Sequence, residues 1–106
     1  MAGHAPLLER IAKLLTHRST DPGKPLVTEM EHTLTDGYAR ALELESERLR
    51  LERQIGQLAH QISSLDEADE LKDLAGRLRD TDTELAGLRD RLEALQKRFD
   101  ETRAAA

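Results

Sequence analysis

Apolar residues recur along most of this chain in two runs, in which they are spaced alternately three and four positions apart. The first run extends from Val27 to Leu65, and the second extends from Leu71 to Thr102. This alternation keeps an apolar stripe on one side of an α-helix, and it is the heptad pattern of helices that pack against one another. The sequence therefore predicts two long amphipathic helices.

A step of six residues, from Leu65 to Leu71, separates the two runs and breaks the heptad phase. We interpret this break as the tip of a helical hairpin near residues 63–70. The segment contains no Gly or Pro, but Ser64 followed by Glu67 is a capping box that would begin a new helix. One continuous helix that is locally overwound is the alternative.

The register of an antiparallel hairpin follows from pairing the last leucine before the break with the first leucine after it. With Leu65 opposite Leu71, Gly37 lies opposite Phe99. The smallest residue of one stripe would then face the largest residue of the other, an arrangement that close packing favours. The sequence therefore predicts this register.

Two polar residues interrupt the stripes, Arg48 in the first and Thr81 in the second. In the predicted register Arg48 lies opposite Leu88, and Thr81 lies opposite Ile55. A single polar residue in such a stripe often fixes the register of a coiled coil at some cost in stability. Alternatively, Arg48 extends its guanidinium outward to solvent and Thr81 is merely tolerated.

A separate amphipathic segment, residues 6–16, precedes the first run. Pro6 suits the first turn of a helix, and Leu7, Ile11 and Leu14 share one face of that helix. A helix of this length is only marginally stable alone in water. We therefore expect it to pack against another part of the protein or against a partner.

A segment that contains Pro and Gly, residues 17–26, separates this helix from the first heptad run. Thr28 would cap the next helix, because Glu31 lies three positions later. The predicted organisation is a short helix and linker at residues 1–26 and a hairpin at residues 27–106. The predicted fold class is all-α: an antiparallel helical hairpin (coiled coil) preceded by a short N-terminal helix and a Pro/Gly linker.

The composition agrees with long helices rather than a wide globular core. Charged residues make up 35% of the chain and aromatic residues only 2%, a balance typical of coiled coils. The absence of Cys excludes disulfides and Cys-based zinc sites. No signal-peptide core and no stretch of ~20 apolar residues is present. We therefore expect a cytoplasmic protein with no membrane partner.

The charge pattern gives no sign of nucleic-acid binding. The net charge is −5, from 16 basic and 21 acidic residues, and the basic residues do not cluster. Binding to the phosphate backbone requires clustered Lys and Arg. We therefore expect no nucleic-acid partner.

The residues that could carry chemistry do not form a recognisable motif. The serines lie outside any nucleophile-elbow pattern, and the chain has no Gly-rich phosphate loop. His4, His17, His32 and His60 lack the spacing of metal ligands. We therefore predict no catalytic residue, no cofactor and no metal site, and hence a protein that is not an enzyme.

Two leucines lie on the outer side of the first long helix, away from its stripe. Leu42 and Leu49 are seven positions apart, and Tyr38 precedes them by one turn. The N-terminal helix could cover them, a second hairpin could pack there in a four-helix dimer, or another protein could dock a helix. The residues predicted to bind a partner are Tyr38, Leu42, Leu49, Leu7, Ile11 and Leu14.

The predicted tip carries the carboxylates of Asp66, Glu67, Asp69 and Glu70. At the start of a helix they would interact favourably with the helix dipole, and they could also reach a basic or metal-containing cleft in a partner. In shape, such a hairpin resembles the coiled-coil finger of bacterial transcript-cleavage and secondary-channel factors, whose acidic tips act at the polymerase active site. The resemblance covers the architecture of residues 27–103 and no sequence motif.

Three functional hypotheses follow from these features. The leading one is a non-enzymatic protein–protein interaction module, an adaptor or assembly subunit, which forms a homodimer or four-helix assembly or binds another protein. The second is a regulator of a large enzyme such as RNA polymerase, which inserts the acidic tip into a basic channel. The third is a chaperone-like clamp, which requires exposed apolar surface near Met30 and Phe99.

Overall fold

The computed structural model describes residues 5–16 and 24–105, and within these ranges the chain is helical apart from one short loop. The helices are α1 (Ala5–Thr16), α2 (Lys24–Ala59) and α3 (Leu65–Ala105). A loop at residues 60–64 ends α2. The predicted all-α fold, a long helical hairpin after a short helix, is therefore confirmed, and one continuous helix is excluded. The coiled-coil type of packing stays a prediction.

The start of α2 differs from the prediction. The helix begins at Lys24, so Thr28 lies inside the helix and does not cap it. Pro25 is in the first turn, where its missing N–H removes no helical hydrogen bond and its fixed φ suits the helix. The predicted turn residues Asp21, Pro22 and Gly23 lie outside the described residues.

The first of two compact units contains α1, the part of α2 up to Ala41 and the part of α3 from Gly87. Three helical segments contribute to its core, and the hydroxyl-bearing Thr33 is also fully buried. The short helix α1 therefore gains its stability from packing, as its length requires. The buried apolar side chains of this unit are Leu7, Ile11, Leu14, Met30, Leu34, Ala41, Leu88, Leu92, Leu95 and Phe99.

The second compact unit, Leu42–Ala86, consists of the remaining parts of α2 and α3 with the loop between them. Its core is smaller and ends before the loop, since Ile62 is 40% exposed and Leu65 is 78% exposed. The expected pairing of Leu65 with Leu71 is therefore wrong. The buried apolar side chains of this unit are Leu44, Leu51, Leu74 and Leu85, and Thr81 is buried with them.

The register also differs from the prediction by one heptad in the first unit. A Cβ added to Gly37 would overlap the side chain of Leu92, whereas the predicted neighbour was Phe99, seven positions later. The prediction treated Leu65 as the last residue of the first long helix, but Leu65 begins α3. A shift of one whole heptad leaves every stripe residue facing inward, so periodicity does not distinguish the two registers.

The second unit gives an independent observation on the register. Arg48 pairs through its Nε with Oδ1 of Asp82 at 3.5 Å and with Oε2 of Glu52 at 3.8 Å. The expected neighbour Leu88 is therefore wrong. The Arg48 side chain is 42% exposed, so its guanidinium extends outward, which was one of the two expected alternatives. At the surface it contacts Asp82 of the opposite helix.

Candidate interaction surfaces

Leu42 and Leu49, which we call the outer stripe, lie on the surface of the second unit. Their exposed fractions are 65% and 54%, whereas Leu44 and Leu51, two positions later, are 1% and 0% exposed. Two positions correspond to a rotation of about 200° around a helix. The outer stripe is therefore on the side of α2 opposite the core, and more than half of each of its two leucines is exposed.

Helix α1, which was one of the three expected covers of the outer stripe, packs within the first unit. It is held there through Arg10. The guanidinium donates from Nη1 to Oδ2 of Asp36 at 2.8 Å and from Nη2 to Oγ1 of Thr33 at 3.1 Å. Its Nε lies 3.7 Å from Oε1 of Glu29. These contacts fix α1 near residues 29–36 of α2.

The prediction that three residues of α1 form part of an exposed partner-binding surface is corrected by their burial. Leu7 is 6% exposed, Ile11 is 0% exposed and Leu14 is 7% exposed. They form part of the core of the first unit, because the tethered helix covers an apolar surface of its own chain. A partner could reach them only after α1 had separated from α2.

Tyr38 belongs to the first unit and is 45% exposed. Its hydroxyl donates a hydrogen bond to Oε1 of Gln96 on α3, at 3.1 Å. Gln96 in turn donates from Nε2 to Oδ1 of Asp100 at 3.1 Å. The polar end of Tyr38 thus has an intramolecular partner, while part of its ring faces solvent. Its role in partner binding stays a prediction.

Sequence reasoning missed the contacts of Arg10 with α2. Thr33 is fully buried, and its hydroxyl, which accepts a hydrogen bond from Arg10, donates to Oε1 of Glu29 at 3.4 Å. The spacing of Glu29, Thr33 and Asp36 is four and three, which places the three side chains along one line of the helix. This line of polar residues beside the apolar stripe is the feature of the sequence from which the contact with Arg10 could have been predicted.

One of the four carboxylates at the tip, that of Glu67, forms hydrogen bonds that hold the loop before α3. Glu67 Oε1 accepts hydrogen bonds from the backbone N–H of Ser63 at 2.9 Å and from the Ser63 hydroxyl at 3.0 Å. In return, the N–H of Glu67 donates to Oγ of Ser64 at 3.2 Å. The expected capping box is therefore present at the start of α3, and the carboxylate bonds to the N–H one residue before the cap.

These hydrogen bonds stabilise the charged form of Glu67. The backbone N–H and the hydroxyl of Ser63 lower the pKa of this carboxyl below its ordinary value, and Ser64 contributes in the same direction. Desolvation of the carboxyl opposes the lowering of its pKa, with an effect smaller than that of either Ser63 hydrogen bond. Glu67 is thus occupied in forming the loop, which makes it a poor candidate for contact with a partner.

The other three tip carboxylates, Asp66, Asp69 and Glu70, are exposed. They do not form a metal site: in residues 5–16 and 24–105, no three His, Asp or Glu side chains lie close enough together to hold a metal ion. Leu65, next to Asp66, projects a largely exposed apolar side chain. The tip therefore presents an apolar group beside separate negative charges.

The exposed apolar surface that a chaperone-like clamp would need is missing at the expected positions. Met30 is fully buried and Phe99 is 6% exposed. The guanidinium of Arg103 lies over the Phe99 ring, 5.3 Å from the ring centroid, which is within the range of a cation–π contact. Neither residue is available to a client protein in this structure.

Comparisons with known proteins provide no further guide to the function. No protein-family model matches the chain, and neither the curated proteins nor the solved structures give a match to it. None of the helices α1 to α3 is both long enough and apolar enough to cross a membrane. We therefore infer the function from the surfaces of the molecule described above.

Proposed function

We propose that this protein is a non-enzymatic interaction module, an adaptor or assembly subunit, which self-associates through the outer stripe. The observation that carries the proposal is the exposure of Leu42 and Leu49, one heptad apart on a face opposite the core. Helix-on-helix docking uses apolar residues at this spacing. The proposed setting is the cytoplasm, without a membrane or nucleic-acid partner.

A second copy of the chain is the simplest occupant of the outer stripe, because a two-fold axis buries the same patch on both chains. Burying a leucine completely contributes about 1.5–3 kcal/mol, so roughly 1–2 kcal/mol is still available at each exposed leucine. A two-fold dimer buries four of them, because the same patch is used by both chains. The total, roughly 4–8 kcal/mol, only offsets the lower estimates of the cost of association. The net affinity therefore depends on the residues that flank the two leucines, and we expect the dimer to be weak.

Analytical ultracentrifugation tests this proposal directly. The wild-type chain should shift from monomer to dimer as its concentration rises from about 10 μM to about 1 mM, a range chosen for a weak complex. The double variant Leu42→Glu/Leu49→Glu should stay monomeric at every concentration. Its circular dichroism should remain that of the wild type, because both side chains are exposed in the monomer.

A matched control separates the loss of apolar contact from the added negative charge. Gln54→Glu/Gln61→Glu adds the same two charges with the same spacing of seven, at exposed positions. This variant should dimerise nearly as well as the wild type. A wild-type chain that stays monomeric at the highest concentration would refute self-association and leave the outer stripe to another protein.

The tip supports a second candidate function, regulation of a large enzyme such as RNA polymerase. The observation in its favour is Leu65, which is 78% exposed beside solvent-facing carboxylates. The structure sharpens the test, because Glu67 must be kept to form the loop. Neutralising Asp66, Asp69 and Glu70 to amides should abolish any effect of the protein on transcription by the purified polymerase, and should leave dimerisation unchanged.

A further inference from the structure

The apolar stripes of α2 and α3 become less buried towards the loop that joins the two helices. In the second unit Leu51 is 0% exposed and Leu74 is 7% exposed, whereas Ile62 is 40% exposed. Leu58 and Leu71 lie between these levels and are half-buried. A core made by two helical segments buries a smaller share of its surface than a larger core does. Apolar surface is therefore still available to a partner at this end of the hairpin.

A groove of about 400 Å³ lies between α2 and α3 at this end of the second unit, and we call it the end groove. Leu58 and Leu74 form its floor, because they are less exposed than the polar residues that line it. Three glutamines line it on the side of α2. Glu70 and Asp73 line it on the side of α3, and Arg77 follows them one turn later. The end groove thus has an apolar floor between amide side chains and carboxylates.

The charge around the end groove is mainly negative. Residues 54–71 contain four carboxylates and no Lys or Arg, and residues 54–77 have a net charge of −3, from five acidic and two basic residues. Glu70 and Asp73 are exposed, and neither carboxylate forms an ion pair or hydrogen bond within residues 5–16 and 24–105. Like charges oppose a second copy of this groove, a nucleic acid or an anionic membrane as its occupant. A basic partner is therefore the complementary one.

Helix α1 shows what kind of segment this hairpin accepts as a third helix. In the first unit, three aliphatic residues of α1 at positions i, i+4 and i+7 are buried. Arg10 lies among them in the sequence and donates to the Asp36 carboxylate at 2.8 Å, and its Nε lies 3.7 Å from Glu29. An apolar face thus packs on the long helices while a basic residue pairs with carboxylates beside it. The end groove offers the same two features, an apolar floor and carboxylates one turn apart.

We propose that the end groove binds an amphipathic helix of a partner protein, one with aliphatic residues at the spacing of those in α1 and with Lys or Arg beside them. The aliphatic side chains cover Leu58 and Leu74, as in other complexes in which a helix lies in a groove. The basic side chains pair with Glu70 and Asp73. The proposal goes beyond self-association and involves neither leucine of the outer stripe, so its failure would leave that proposed function unaffected.

The glutamine side chains provide a direct readout of binding. The chain contains four Gln and no Asn, so its side-chain amide NMR spectrum has one pair of signals for each Gln. Gln54, Gln57 and Gln61 line the end groove, whereas Gln96 belongs to the first unit and accepts a hydrogen bond from Tyr38. A change confined to the first three pairs of signals therefore locates a ligand in the end groove.

The probe is a synthetic peptide of Leu and Lys, about 14 residues or four helical turns long, with its leucines on one face. Added to the full chain labelled with ¹⁵N, it should shift the amide signals of Gln54, Gln57 and Gln61 and leave those of Gln96 in place. We expect a dissociation constant of about 10–100 μM, since the groove is short and its charges are exposed. A peptide with Glu in place of every Lys should leave all four pairs unshifted.

Charge reversal in the end groove separates a defined site from general attraction to an acidic protein. Glu70→Lys/Asp73→Lys should weaken binding of the Leu–Lys peptide at least about tenfold, because two attractive pairs become repulsive. Asp90→Lys/Glu93→Lys is the matched control, since it changes the net charge equally at two exposed residues of α3, three positions apart, in the first unit. The control should keep the affinity to within about threefold.

The outcomes are distinct. Shifts confined to the three groove glutamines, together with a loss of affinity in the groove variant alone, support the proposal. The absence of any shift at a peptide concentration of about 1 mM overturns it. Equal shifts at Gln96, or equal weakening by the two charge variants, also overturn it, because binding is then spread over the acidic surface or directed at the first unit.

Discussion

Gly37 provides the sharpest test of how α2 and α3 pack in the first unit. A methyl group added there by Gly37→Ala would overlap the side chain of Leu92. Leu92 is 1% exposed, so its side chain has no route to solvent by which it could move aside. The substitution therefore forces either a strained rotamer of Leu92 or a separation of the two helices.

The net effect is the difference between two opposing terms. In a helix interior Ala is about 1 kcal/mol more favourable than Gly, and this part of the change stabilises the protein. Overpacking a close-packed core costs about 1–3 kcal/mol. We therefore expect Gly37→Ala to be between neutral and about 2 kcal/mol destabilising, rather than stabilising as it would be at an unobstructed site.

Gly56 supplies the matched control, because it lies in the same helix and a Cβ added to it would meet nothing within 4 Å. Gly56→Ala should stabilise the protein by about 0.5–1 kcal/mol. The two variants should thus differ by about 1–3 kcal/mol in free energy of unfolding. Urea unfolding followed by circular dichroism measures the difference, provided that the slope with denaturant stays constant.

A double-mutant cycle identifies which residue lies opposite Gly37. If Leu92 is the neighbour, Leu92→Ala should make room for the added methyl group, and the coupling energy should be about 0.5–3 kcal/mol. Phe99→Leu should show no coupling with Gly37→Ala. Coupling to Phe99 instead of Leu92, or equal stabilisation by the two glycine substitutions, would refute the register described here.

Three further predictions concern the contacts of α1 and the tip. Arg10→Met should cost about 1 kcal/mol, allowing for the partial exposure of Arg10, and should speed amide hydrogen exchange throughout α1, whereas the exposed change Lys13→Met should leave exchange unchanged. Ser64→Ala should lower the free energy of unfolding by about 1 kcal/mol; an unchanged urea midpoint would show that the cap is dispensable. Because hydrogen bonds lower the pKa of Glu67 in the folded state, its stabilisation is complete above the unfolded pKa near 4.5 and is lost as the pH falls through the folded value. Glu67→Gln should therefore destabilise the protein at pH 7 and match the wild type in strong acid, with Glu70→Gln as the control for loss of a charge.

The sequence was sufficient to predict the helices and the cap at the start of α3. Heptad spacing depends on the geometry of a single helix, and the bonds of Ser64 and Glu67 connect residues three or four positions apart. Both signals are local, so they can be recognised without knowledge of the tertiary fold. The early start of α2 at Lys24 was missed because Pro25 was taken as a linker residue, although proline is also favoured in a first turn.

The register could not be predicted in the same way, because it is a property of two helices and the loop that joins them. A shift of one heptad exchanges one set of leucine contacts for another of nearly equal energy. What distinguishes the two registers is where the first helix ends. The cap at Ser64 contains that information, since it places Leu65 in α3 rather than in α2.

The six residues predicted to bind a partner were chosen on one criterion: each is an apolar or aromatic residue at helical spacing for which the sequence suggested no contact within the chain. The structure shows that some of them are buried and others are exposed. Leu7, Ile11 and Leu14 are buried, because α1 belongs to the same chain as the surface that it covers. An intramolecular contact forms at a high effective concentration, so a separate partner would have to displace α1 to bind there. Leu42 and Leu49, in contrast, are 65% and 54% exposed. A second chain can therefore bind at the outer stripe without a prior rearrangement, which is the physical reason for choosing this surface over the face of α1.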